Sequence, residues 1–161
     1  MTWIKRHMAL LVWLVITLGW MMLIFGFSAQ TAEESGSLSA KISQPVTDMI
    51  VRLRGGMSAE EADALYHQVD GVVRTGAHFS EYAVLGVWLT LLLSGIGLRW
   101  PWLAWLAGAV FAVTDEWHQA YTPGRICDPE DVLVDSLGVL LGVTLTTLIY
   151  RKWRKKHVHH S

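Results

Sequence analysis

Ten side chains between Asp115 and Gly138, the phenol of Tyr121 aside, are ionisable or carry an amide, and the chain on either side of them is nearly all apolar. They are Asp115, Glu116, His118, Gln119, Arg125, Cys127, Asp128, Glu130, Asp131 and Asp135. A charged side chain at the middle of a bilayer costs roughly 2.5–3.5 kcal/mol, so such a knot between hydrophobic runs points to a functional site. On a helix Asp115, His118 and Gln119 share a face, with Glu116 beside it. Upstream, Arg74, His78, Glu81 and Tyr82 form a second polar face. Asp131 and Asp135 form a third, which Gly138 and Gly142 continue as a stripe of small residues suited to close helix approach. Thr122-Pro123-Gly124-Arg125 has the makings of a tight turn that carries Arg125 back toward the other groups.

These residue types suit several chemistries. Glu116, His118, Asp115 or His78 could act as general acid or base. Arg74 and Arg125 could clamp a phosphate or carboxylate, with Gln119, Ser28, Gln30 and Tyr82 as further polar contacts. Asp128, Asp131 and Asp135 offer hard oxygen ligands for a divalent metal, the one cofactor the composition suggests. Binding or transport of an anionic envelope lipid without chemistry would use the same groups. So would a structural network that pairs carboxylates with Arg74, Arg125, His78 and His118. The network has more acids than arginines to pair with, and a buried carboxylate without a partner has to be protonated. No serine elbow, His-Glu-x-x-His or phosphate loop is present, and nothing indicates nucleic acid as a partner. Cys127 is the single cysteine, so no internal disulfide forms.

The elements that position these groups read as membrane helices. Hydrophobic residues make up 52% of 161, and the mean hydropathy is +0.34. The expected fold is all-α, a single polytopic membrane domain over 1–161, with transmembrane helices at about 8–27, 77–97, 101–119 and 131–150. The third is the shortest in apolar residues, which stop at Thr114, so Asp115, Glu116 and His118 are expected inside the membrane or in a wet patch of it.

Charge sets the expected orientation. All 14 acids lie between Glu33 and Asp135, whereas the ends and the 98–100 turn hold eight of the 13 basic residues and no acid. Both termini are then cytoplasmic, and the polar residues of all four spans fall at the extracytoplasmic level. Within the outer loop, 28–76, Ser58-Ala-Glu-Glu61 is a capping box opening an amphipathic helix. Leu38, Ile42, Val46, Met49, Ile50 and Leu53 suggest another, interrupted near Pro45. Both are expected to rest on the outer surface as a lid. The tail 151–161 is basic, with His157, His159 and His160 at its end, and reads as a topology anchor facing the inner leaflet.

Three motifs together resemble the VanZ-like family of bacterial membrane proteins. They are Phe27-Ser28-Ala29-Gln30, Arg74-x-x-x-His78-x-x-x-Tyr82, and Asp115-Glu116-x-His118-Gln119 continuing through Pro123-Gly124-Arg125, Asp128, Asp131-Val-Leu-Val-Asp135 and Gly138. The family often has Lys where Arg74 stands and Asn where Asp135 stands. The resemblance implies a multi-pass protein of the bacterial inner membrane, linked to resistance to lipoglycopeptides of the teicoplanin type. Its partners would be membrane lipids, a lipid-linked cell-wall precursor or the lipoglycopeptide itself. Whether it implies an enzyme is left open.

Overall fold

The computed structural model describes residues 3–98, 100–125 and 127–158, and these form five helices. They are α1 (Trp3–Ser28), α2 (Ala32–Arg54), α3 (Ala59–Gly95), α4 (Pro101–Gln119) and α5 (Pro129–Val158). Arg99, Ile126, His159 and His160 lie outside the described residues.

Two helix starts follow one rule. Thr31 and Ser58 each accept from the backbone N–H three residues on, while Glu34 and Glu61 reach back to the cap N–H. Both capping boxes satisfy amides that a helix start otherwise orphans. The Thr31 amide and hydroxyl together hold the exposed Glu34 carboxyl below its ordinary pKa. Pro101 opens α4, where a missing N–H costs nothing.

α3 is the hub and packs on each of the other four helices. The span expected at 77–97 and the amphipathic helix expected after Ser58 are one unbroken helix of 37 residues. Gly71 and Gly76 fall between them, but glycine weakens a helix by only about 1 kcal/mol and the stretch has no proline. α2 likewise runs straight through Pro45. The ring removes one backbone hydrogen bond, and exposure of Lys41 and Pro45 lets water take the freed carbonyl. α5 continues past 150 into the basic tail, as far as Val158.

Three segments are long and apolar enough to cross a bilayer: His7–Ser28, Ala59–Gly95 and Pro129–Trp153. α4, at 19 residues with three polar groups in its last turn, is not among them. The face that α2 turns to α3 is polar: Ser39, Ser43 and Thr47 are buried, and Ser43 Oγ donates to Asp70 Oδ1 at 2.9 Å. Its apolar stripe (Leu38, Ile42, Val46, Met49, Leu53) points outward and is exposed.

The core holds Ile24, Tyr82, Leu85, Leu89, Ala104, Ala112, Val139 and Val143. At its centre α3 and α5 meet backbone to backbone. A Cβ on Gly142 would run into the Ala83 carbonyl, one on Gly138 into that of Phe79, and one on Gly86 into that of Val139. Such contact favours helix association where lipid supplies no hydrophobic drive. Gly142→Ala is therefore expected to push α3 and α5 apart. Overpacking of about 1–3 kcal/mol outweighs the gain in helix propensity of about 1 kcal/mol, so thermal unfolding in detergent should come at lower temperature. Gly26→Ala, with nothing within 4 Å of the added methyl, should leave the midpoint unchanged or raise it.

Candidate functional site

Four elements bring polar side chains to one end of the bundle, and Asp115 is where they join. Ser28, the last residue of α1, donates its hydroxyl to Asp115 Oδ2 at 2.6 Å. Tyr82 of α3 donates to the same oxygen at 3.1 Å. Gln119, one turn beyond Asp115, points its amide at that oxygen (3.5 Å) and at Ser28 Oγ (3.3 Å). Ser28, Tyr82, Asp115 and Gln119 are all buried. The other carboxyl oxygen, Oδ1, is buried and has no partner.

The network extends outward through Arg125. Its Nη1 donates to Gln119 Oε1 at 3.3 Å and its Nε to the Gln30 carbonyl at 3.4 Å. The local chain makes this possible. Thr122 N–H donates to the Gln119 carbonyl and Arg125 N–H to that of Thr122, closing a tight turn. Gly124 takes a φ of +76° there, a value that glycine adopts without strain. Ala32 N–H donates to the Pro123 carbonyl at 3.3 Å, which fastens the turn to the start of α2.

Beside this network lies a cavity of about 210 Å³ between the end of α1, α2 and the middle of α3. Arg74, His78, Glu81, Gln30 and Arg125 supply its polar wall, and Phe27, Leu38, Ile42 and Val73 its apolar lip. Among the described residues no carboxylate stands within ion-pair distance of either arginine. Arg125 is half-buried, and desolvation first, then the like charge of Arg74, lowers its pKa, while Glu116, Asp115 and Asp131 oppose the shift. Guanidinium nevertheless stays charged in proteins, so the cavity holds two unpaired cations.

The remaining residues divide. Glu116 is buried on the flank of α4 and accepts the Asp128 N–H at 3.1 Å, bracing the start of α5. His118 stacks on Phe25 with ring centroids 4.0 Å apart, and its buried Nε2 has no partner. Neither lines the cavity, and nor does Asp115, so of the four acid–base candidates only His78 does.

The metal expectation fares differently. Among the described residues no group of three or more His, Cys, Asp or Glu is arranged to hold an ion. Asp128 and Asp131 are exposed, while Asp135, one turn deeper, is fully buried with both oxygens unpartnered. Sequence reasoning placed Glu81 on the right face without giving it a role. It missed Trp20, whose Nε1 donates to the Glu81 carbonyl at 2.9 Å and fixes α1 against α3 at this level. No spacing rule would have found that pair, 61 residues apart.

The two buried aspartates should answer substitution oppositely. Ser28→Ala strips a hydrogen bond from Asp115 and is expected to cost about 1–3 kcal/mol of stability. Asp135→Asn replaces a buried carboxyl that no protein group partners with a neutral group of the same shape, so stability should hold or rise. Thermal unfolding of the two variants beside the parent decides this, and a large loss for Asp135→Asn would show that its carboxylate has a partner.

The comparisons with known proteins agree with this arrangement as far as they reach. No curated protein and no solved structure is significantly similar to the chain. A family model described as VanZ/LLP1 matches residues 13–150, a stretch that contains all three motifs and every residue that lines the site. The chain is a membrane protein that belongs to the VanZ/LLP1 family.

Proposed function

We propose that this protein holds the anionic headgroup of an outer-leaflet envelope lipid, or of a lipid-linked cell-wall precursor, in the Arg74–Arg125 cavity. In this reading α4 is a fourth span, both termini are cytoplasmic and the cavity faces outward. The lipid is one whose capture or modification lowers sensitivity to teicoplanin-type lipoglycopeptides. The observation that carries the reading is the pair of arginines facing one cavity with a single carboxyl, Glu81, in its wall and none within ion-pair distance of either. Two like charges held together without a counter-ion are costly, and a phosphate accepting their fork of donors offsets that cost.

The lip argues for a lipid over a free anion. Leu38 and Ile42 belong both to the cavity wall and to the outward apolar stripe of α2. A headgroup on the arginines would let its chain leave along Leu38, Ile42, Val46 and Met49 without crossing polar surface. Size adds to this, because about 210 Å³ takes a phosphate and little more, so a larger glycan or peptide would remain outside.

A second reading adds catalysis. His78 and Glu81 stand in the cavity itself, and the partnerless oxygen of Asp115 lies behind it. Together they could move a proton at the bound headgroup. In that case His78→Ala would abolish turnover of a phosphate-headed lipid while leaving its binding intact.

Arg125→Ala and Arg74→Ala are expected to weaken binding of a phosphate-headed lipid in nanodiscs by about 10–100-fold each, the range for a lost charge-assisted contact of ~1.5–3 kcal/mol. Arg125→Lys should recover part of the loss, since it keeps the charge but not the fork. Unchanged lipid affinity in both alanine variants, each shown to be folded by its unfolding midpoint, would end this reading.

A further inference from the structure

A second pair of hollows lies at the opposite end of the bundle, remote from the arginine cavity. There the end of α3, the start of α4 and the last turns of α5 diverge around a cavity of about 410 Å³. Pro101 and Ala104 are small residues on its α4 wall, and Gly95 on its α3 wall lets Leu10 of α1 pack close behind it. A groove of about 300 Å³ lies beside it between α4 and α5, walled by Trp105, Leu140 and Leu148. Pro101, Thr147 and Arg151 border both hollows, so one edge of α5 separates them and Arg151 stands at their shared mouth.

Three observations identify the occupant. The walls are chiefly apolar, as acyl chains require. The polar atoms are few and unequal: Thr90 and Thr146 donate their hydroxyls back to the Gly86 and Gly142 carbonyls, whereas the buried Thr147 hydroxyl has no partner. Last is charge. Arg151 and Lys152 are exposed here, Arg154, Lys155 and Lys156 follow in sequence, and every acid of the chain lies between residues 33 and 135. Exposed Trp100 and Trp102, stacked with centroids 6.1 Å apart, supply the aromatic rim typical of a membrane interface.

We infer that this end binds one anionic two-chain phospholipid from the leaflet bordering the termini, its phosphate on Arg151 and one acyl chain in each hollow. The Thr147 hydroxyl donates to an ester carbonyl between the two chains. Arg151 supplies what a bare surface lysine would not, a planar fork matched to phosphate oxygens. The hollows on both sides of it fix two chains and not one, which separates a phospholipid from a fatty acid or detergent.

The test is native mass spectrometry of the full chain, purified in detergent and titrated with phosphatidylglycerol or phosphatidylcholine of matched chains. With the arginine cavity disabled by Arg74→Ala and Arg125→Ala, one phosphatidylglycerol should survive detergent removal, with affinity at least about ten-fold above that for phosphatidylcholine, and the variants below are made in that background. Arg151→Gln should remove that preference, and Thr147→Val should weaken binding about five-fold, the value of one neutral hydrogen bond. Arg52→Gln, which deletes an exposed cation on α2, should change neither. Equal retention of the two lipids, full retention by Arg151→Gln, or an equal loss in Arg52→Gln would overturn the inference. So would a dimeric mass that Ala104→Phe converts to monomer, because a second copy of the chain would then fill the hollows.

Discussion

A carboxyl group inside a bundle of apolar helices has to be satisfied by its neighbours, and for Asp115 three donors on three helices meet at one oxygen. Ser28 is a short side chain, so the end of α1 must come close to α4 to reach it, while Tyr82 reaches across from α3 with a long one and Gln119 lies one turn along α4 itself. The hydrogen bonds therefore fix the level at which α1 ends, the rotation of α3 and the last turn of α4 together. Buried donors and acceptors are costly to leave unmade, so this level is strongly specified. Everything at this end of the bundle is referred to it: Arg125 is placed by Gln119, and the turn by Arg125 and the start of α2.

Steric constraint completes what hydrogen bonding begins. The glycines at 86, 138 and 142 let α3 and α5 touch along their backbones, which is why Asp135 is buried while Asp131, one turn closer to the end, is not. Close packing there and diverging helices at the far end are two sides of one geometry. Helices that meet at Gly142 and separate beyond it leave the hollow around Ala104 and Thr147. One crossing thus creates a rigid polar site at one end and an apolar gap at the other.

Much of this was legible in the sequence, because it rests on local rules. The capping box at Ser58, the start at Pro101, the end at Gln119 and the tight turn before Arg125 each need only a few neighbouring residues, and each is found where the residues indicate. The family was legible too, since its motifs keep fixed spacings. What sequence could not give was set by tertiary contact. Pro45 does not end α2, where the exposed carbonyl it frees can turn to water. Asp128, Asp131 and Asp135 looked like one donor set because spacing on a helix says nothing of depth. The apolar stripe of α2 was visible as a stripe, but its outward direction follows from Ser39, Ser43 and Thr47 being the residues that fit against α3.

The charge distribution bears on how a ligand would arrive. The end that carries the arginine cavity also carries all 14 acids of the chain, against five of its basic residues. Summed over the surface, that field repels anions approaching through water and slows their association. Inside the cavity the balance reverses, because Arg74 and Arg125 face the space against the single carboxyl of Glu81, while Asp115 and Glu116 lie outside its lining and are held in hydrogen bonds with the protein. In the proposed reading an anion is thus held well but met badly from solution. A headgroup sliding in from the bilayer along Leu38 and Ile42 would avoid most of the repulsive surface, so on that reading the electrostatics that oppose a soluble phosphate favour one carried on a lipid.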